Sequence, residues 1–159
     1  MLLSNPEQIE KKIRRAVARG IEFEGICFRN VSQRFANQQD FLSAEGSKKR
    51  GGRFNFKGTC GVLYLSCDFD TCWKETIHTA TTPAIDVAKL LPRTIVGVKV
   101  KLSKVLDLTD NRIRRAIGIT KRVLTETDWK SVQKNGQEAI TQAIGRFAKE
   151  AGFEAILVP

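Results

Sequence analysis

The sequence has a single histidine, His78, in 159 residues, and that scarcity removes much ordinary metal and acid–base chemistry. Zinc needs several His or Cys ligands at close, regular spacing. Cys60, Cys67, Cys72 and His78 contain no C-x-x-C pair, and Cys72 and His78, six apart on one expected helix, lie on different faces. No metal site is expected. A nucleophile at Cys60, in a basic glycine-rich loop that favours a thiolate, has only that one histidine as its base. Long apolar runs are missing as well: none approaches the roughly 20 residues that span a bilayer, and the opening "MLLSNPEQIEKK" is too polar for a secretory segment. The expectation is a cytoplasmic protein with no membrane partner, whose four cysteines (Cys27, Cys60, Cys67, Cys72) stay as free thiols.

Acidic residues are in short supply. Seventeen Asp and Glu face 27 Lys and Arg, a formal charge of +10, so acidic partners are favoured: nucleic acid, phosphorylated metabolites, an anionic membrane or an acidic protein. The basic runs "IEKKIRR" (9–15) and "NRIRR" (111–115) look like solvated faces of amphipathic helices, and they lack the interleaved aromatics that stack on bases. A non-enzymatic basic domain that binds nucleic acid is therefore the alternative reading. No P-loop and no dinucleotide-binding glycine fingerprint is present, and there are no internal repeats or low-complexity tracts.

What is present alternates helix and strand irregularly. Asn5-Pro6 starts a helix over about 6–19, carried by Ile9, Ile13, Ala16 and Val17. A strand follows near 22–30, then a long loop to about residue 50, then a strand at "GVLYLS". A helix capped by Asp68 or Asp70 places Phe69, Cys72, Trp73, Thr76, Ile77 and Ala80 on one side. After a short "AIDVAKLL" segment (84–91), Val96, Val98, Val100 and Leu102 alternate with Gly97, Lys99 and Lys101 as a half-exposed strand. Asp110 or Thr109 caps a helix that closes near Gly118. Trp129 is the expected core anchor of the less regular 119–135, and a last helix over about 137–150 leads into the strand "EAILV". The expectation is one mixed α+β domain over 1–159.

The densest chemistry lies in "GGRFNFKGTCGVLYLS" (51–66), which holds more glycine and positive charge than a chain reversal requires. Arg53 is followed eleven residues later by Tyr64, and Tyr64 eleven later by Glu75. Arg29 ends the first strand. Singly, each has a plain surface explanation, but Glu75 lies off the apolar stripe of its own helix, so the core does not explain it.

These residues carry a family resemblance. "CFR" (27–29), "GGRFNFKG" (51–58, with Phe54 where the pattern G-R-W-N-x-x-G has Trp), "VLYLS" (62–66) and "WKE" ending at Glu75 resemble the RES-domain toxins of toxin–antitoxin pairs. Weaker echoes lie in "VLDLTD" (105–110), Trp129 and the closing "AIGRFAKEAGFEAILVP". The resemblance implies a fold like that of ADP-ribosyltransferases, with central β-sheets flanked by helices. It also implies an activity that breaks NAD+ at the nicotinamide–ribose bond and passes ADP-ribose to phosphate, to water or to a protein. NAD+ is then a substrate, no prosthetic group is required, and a cognate antitoxin is the protein partner through which any contact with nucleic acid is made. The catalytic set maps onto Arg29, Tyr64 and Glu75, with Arg53, Gly52, Asn55 and Gly58 on the substrate-binding loop. Family members continue past the final Val-Pro into a Ser-containing segment that helps form the pocket. This sequence stops at Pro159, so the expectation is a RES-like domain without that segment.

Overall fold

The computed structural model describes residues 5–33, 37–81 and 92–159; the segment 84–91 lies outside them. Eight helices and three strands are assigned there. The helices are α1 (Pro6–Arg15), α2 (Gln38–Phe41), α3 (Glu45–Arg50), α4 (Phe69–Thr81), α5 (Asn111–Ile117), α6 (Lys121–Glu126), α7 (Trp129–Lys134) and α8 (Ile140–Glu150). The strands β1 (Ile21–Ser32), β2 (Arg93–Asp107) and β3 (Ala155–Leu157) form one sheet in the order β1-β2-β3. β2 and β3 run parallel, with Val105, Leu106 and Asp107 opposite Ala155, Ile156 and Leu157. The fold is mixed α+β, a small sheet flanked by helices.

The chain divides into two compact units, one of Met1–Phe23, Ala44–Val62 and Lys101–Pro159, the other of Glu24–Ser43 and Leu63–Val100. In the first, α1 packs on α8 through Ile9 and Ile13 on one side and Ala143, Ile144, Phe147 and Ala148 on the other. Leu106, Leu108, Ile117, Ile119, Leu124, Phe54 and Phe153 complete this core. Side-chain caps set several boundaries. Asn5 Oδ1 accepts from the Glu7 N–H at 3.2 Å, and Asp110 Oδ1 from the Arg112 N–H at 2.7 Å; Gly118, at φ 84°, closes α5 in the left-handed region. The first helix tightens into a 3-10 turn over Ala16–Arg19, and α8 starts at Ile140, where the Gln142 side-chain oxygen accepts from the Ala139 N–H at 2.9 Å.

Three expectations are corrected here. The span read as a loop after β1 contains α2 and α3, which at four and six residues are too short to show a helical period. Trp129 is only half-buried at the start of α7, and Leu124 is the side chain that reaches the core. Residues 61–65 form no strand. Ser47 Oγ accepts from the Val62 N–H at 2.8 Å and lies 2.7 Å from the Val62 carbonyl oxygen, so a side chain takes the place of a strand neighbour.

In the second unit, β2 shows the expected alternation, with Val96, Val98 and Val100 half-buried and Gly97 and Lys99 exposed. Asp68 caps α4, its Oδ1 accepting from the Thr71 N–H at 2.7 Å. Of the apolar stripe on that helix, Cys72 is buried, whereas Phe69 is 52% and Trp73 42% exposed. Phe69 meets Phe28 edge-to-face at 5.9 Å between ring centroids.

Candidate active site

Three of the sequence-derived residues, Arg29, Tyr64 and Glu75, lie in the second unit, and one backbone junction organises them. Phe28 and Ser66 form an antiparallel bridge, each N–H donating to the other's carbonyl, at 2.8 and 2.9 Å. Arg29 follows one partner of that bridge, and Tyr64 precedes the other by two residues. The bridge also fixes the buried Ser66, whose hydroxyl donates to Glu75 Oε2 at 3.2 Å. Ser66 therefore holds one oxygen of a carboxylate whose residue is otherwise exposed, while Tyr64 remains 40% exposed.

Arg29 is half-buried and already engaged: its Nη1 donates to the Phe41 carbonyl, and its Nη2 to that of Ser43 at 2.8 Å. It thereby pins the end of α2. Burial works against its charge and lowers its pKa from the usual guanidinium value. A second half-buried arginine, Arg93, donates from Nε to Asn30 Oδ1, and burial again lowers its pKa, with Cys72 opposing the shift. The Cys72 thiol is pushed up from its ordinary value, chiefly by burial; the neighbouring Ser66 opposes that, Glu75 adds to it and Arg93 opposes it. Ser66, Cys72, Glu75, Arg93 and Asn30 thus form a linked polar group.

Sequence reasoning missed Ser66, Asn30 and Arg93. Ser66 merely ends an apolar run, and nothing in its nine-residue separation from Glu75 marks the pair. Arg93 belongs to a strand read only for its alternation.

The remaining four residues, Gly52, Arg53, Asn55 and Gly58, lie in the first unit on a loop held by side-chain amides together with backbone bonds, among them the Gly58 N–H to the Lys48 carbonyl at 2.7 Å. Gly52 and Asn55 bridge each other across a tight turn. Asn55, only 2% exposed, donates from Nδ2 to the carbonyls of Ser47 (2.9 Å) and Cys60 (3.0 Å). Fully buried Gln142 on α8 donates from Nε2 to the Gly52 carbonyl (3.0 Å), the Asn55 carbonyl (3.2 Å) and Gln133 Oε1 (2.9 Å). Gln133 in turn donates to the Arg50 carbonyl and accepts from the Lys57 N–H. Arg53 donates twice from Nη1, to the carbonyls of Leu124 (3.2 Å) and Thr127 (3.0 Å) at the end of α6.

The loop glycines have conformational reasons as well. Gly51 (φ 76°) and Gly58 (φ 80°) occupy the left-handed region, and a Cβ on Gly51 would fall 2.1 Å from Gln133 Oε1. Gln133 and Gln142 were also missed, since a glutamine on a helix carries no sequence signal for a loop some 80 residues away. Among the described residues, no group of three or more His, Cys, Asp or Glu is placed to hold a metal ion.

Known proteins resemble this chain along most of its length. The NAD(+) phosphorylase MbcT of Mycobacterium bovis is 28% identical over 153 residues, covering 94% of this chain and 75% of that protein, and the MbcT of Mycobacterium tuberculosis matches equally. The probable NAD(+) phosphorylase Rv3189 of M. tuberculosis is 32% identical over 108 residues, 68% of this chain and 47% of its own length. Among solved structures, the crystal structure of the M. tuberculosis MbcT-MbcA toxin-antitoxin complex superposes with a TM-score of 0.73 at 26% identity, over 96% of this chain and 76% of the matched one. The family model of the RES domain covers residues 26–159, which include every candidate residue above, and the chain belongs to that family.

Proposed function

We propose that this chain degrades NAD+, breaking the bond between nicotinamide and ribose and passing ADP-ribose to inorganic phosphate. The observation that carries the reading is the similarity over 94% of the chain to an NAD(+) phosphorylase, supported by a TM-score of 0.73 to a structure of that toxin with its antitoxin. The partner proposed on the same ground is a cognate antitoxin protein.

The chemistry asks little of acid–base groups. Nicotinamide leaves from a cationic ring nitrogen: the electrons of the C–N bond neutralise that ring, and no proton need be delivered. This suits a chain with one histidine. The transition state resembles an oxocarbenium ion, for which a nearby carboxylate is the most effective single group. Glu75 takes that role. With Oε2 held by Ser66, the carboxylate is proposed to accept from the ribose 2-hydroxyl, a hydrogen bond that strengthens as positive charge grows on the sugar. A phosphate oxygen then bonds to the same carbon, giving the 1-phosphate of ADP-ribose.

Tyr64 is proposed to stack on the nicotinamide ribose. Arg29 is proposed as a phosphate-binding residue, and so, on its own loop, is Arg53, with Gly52, Asn55 and Gly58 around it. A guanidinium has five N–H donors, and in each of these arginines two are spent on the carbonyls named above, so the others are assigned to phosphate oxygens.

The test is chromatography of NAD+ after incubation with wild-type and Glu75→Gln protein, with and without phosphate. Wild type is expected to release nicotinamide and, with phosphate present, to form ADP-ribose 1-phosphate. Glu75→Gln should be slower by roughly a hundredfold or more, as when a main electrostatic stabiliser is lost. Wild-type-like turnover by the mutant ends the assignment of Glu75. Turnover indifferent to phosphate makes water the acceptor, and labelling of a target protein makes the chain an ADP-ribosyltransferase. Salt-sensitive nucleic-acid binding without any turnover returns the alternative of a basic binding domain.

A further inference from the structure

The bridge between Phe28 and Ser66 places two cysteines against each other. Moving one residue back along β1 and one forward past Ser66 pairs Cys27 with Cys67. Because Phe28 and Ser66 exchange both of their backbone hydrogen bonds, Cys27 and Cys67 flank the bridge at the position that in a continued antiparallel pair is non-hydrogen-bonded, where side chains stand closest and Cα atoms are typically about 4.5 Å apart. A disulfide accepts Cα separations of about 4.4–6.8 Å. The two side chains interact, Cys67 acting on the Cys27 thiol. Both thiols are free. The two differ in access, Cys27 being buried at 4% exposure while Cys67 is exposed, and no step proposed for NAD+ uses either of them.

We infer that Cys27 and Cys67 form a reversible intramolecular disulfide, written by exchange with a small-molecule disulfide of the glutathione type and erased by thiols. The exposed Cys67 thiolate attacks one sulfur of the oxidant, its S–S bond breaks, and one equivalent of small thiol leaves with the electron pair. Cys27, giving up its proton to water, then attacks the Cys67 sulfur and expels the second small thiol. The protein loses two hydrogens and two electrons, and the oxidant is reduced to two thiols. Division of labour follows from burial, since an oxidant reaches Cys67 but not Cys27. Burial, and next the neighbouring Cys67, raise the Cys27 pKa, which favours the thiol form of Cys27.

The bond would staple β1 to the segment leading into α4, beside the Ser66 that holds Glu75. A redox-sensitive clasp is therefore built one residue from the proposed catalytic machinery, and it exists whether or not that reading of the chemistry holds.

The experiment equilibrates the full chain with oxidised and reduced glutathione in varied ratio, quenches with an alkylating agent, and maps disulfide-linked peptides by mass spectrometry. A Cys27–Cys67 peptide should accumulate as the ratio becomes more oxidising and vanish on adding dithiothreitol. Cys27→Ser should trap glutathione on Cys67, Cys67→Ser should leave Cys27 reduced, and Cys60→Ser should change nothing. Circular dichroism of each variant checks that it is folded, so a folding failure is not scored as loss of the bond. Full alkylation of all four cysteines under oxidising conditions, glutathione resting stably on Cys67 of the wild type, or a crosslink to Cys72 or Cys60 instead would each overturn the inference. The readout is a peptide mass, so it is decided even if the chain proves inactive on NAD+.

Discussion

Ser66 tests whether the carboxylate at position 75 acts through its placement. A hydroxyl donor, buried and fixed by its own backbone bridge to Phe28, holds Glu75 Oε2 and so, under the proposed reading, orients the carboxylate. Removing it leaves the charge in place but lets the side chain search several rotamers. A hydrogen bond to a charged group is worth about 1.5–3 kcal/mol, and each 1.4 kcal/mol is tenfold in rate, so Ser66→Ala should lower kcat by roughly tenfold or more. KM should change little, because the binding arginines are untouched. Ser66→Thr, which restores a hydroxyl, should recover most of kcat. A purely structural serine would instead reduce the folded fraction and leave kcat per folded molecule unchanged, so steady-state kinetics on folded protein separates the two. Glu75 itself was legible in the sequence because an acidic residue off an apolar stripe has no part in the core. Its hydrogen-bond donor was not, since a serine at the end of an apolar run looks like any strand end.

At the scale of elements, the loop 51–58 is read from sequence as glycine-rich so that a ligand can approach its backbone, yet the structure adds a conformational reason. Gly51 and Gly58 share a left-handed φ but differ in surroundings. A Cβ on Gly58 meets nothing within 4 Å, so Gly58→Ala carries only backbone strain, about 1–2 kcal/mol. A Cβ on Gly51 must displace Gln133, the side chain that accepts from Lys57 and Gln142 and donates to Arg50. Gly51→Ala should therefore destabilise by about 1–3 kcal/mol more than Gly58→Ala, the penalty for stripping buried polar partners. Urea unfolding midpoints of the two variants check the order; equal midpoints would mean that the amide network contributes nothing.

The same network explains which elements the sequence announced. α1 was legible because a cap and apolar periodicity coincide, α5 through its Asp110 cap and closing Gly118, and α8 and the alternating valines of β2 through their periodicity. The span 61–65 was not, because Val62 satisfies its backbone through the Ser47 hydroxyl and so keeps a strand-like composition without a strand partner.

For the whole molecule, the two units differ in how much core they own. The first buries a continuous apolar cluster built from α1, α8, the end of β2 and the loop carrying Phe54. In the second, the buried side chains among the described residues are Cys27, Val31, Cys72 and the polar Ser66, while Ile26, Leu42, Tyr64, Phe69 and Trp73 stand exposed. Few buried apolar contacts mean low-energy local openings, and ligand-binding segments are drawn from that end of the stability range. Arg29, Tyr64 and Glu75 all belong to this second unit, and with them the proposed chemistry.

Native-state hydrogen exchange should therefore be uneven. Amides of α8 and of Val105 and Leu106 should exchange only through global unfolding, with a steep dependence on denaturant, whereas those of α4 and of residues 27–31 should exchange through smaller, denaturant-insensitive openings. NAD+, added to the slow Glu75→Gln variant so that it persists, should slow exchange in both sets, because global unfolding as well as the local openings of the second set release the ligand. Equal exchange rates across both sets would show that the apolar cluster of the first unit stabilises the whole chain as one cooperative block. The thin core of the second unit would then have no bearing on how its candidate site opens.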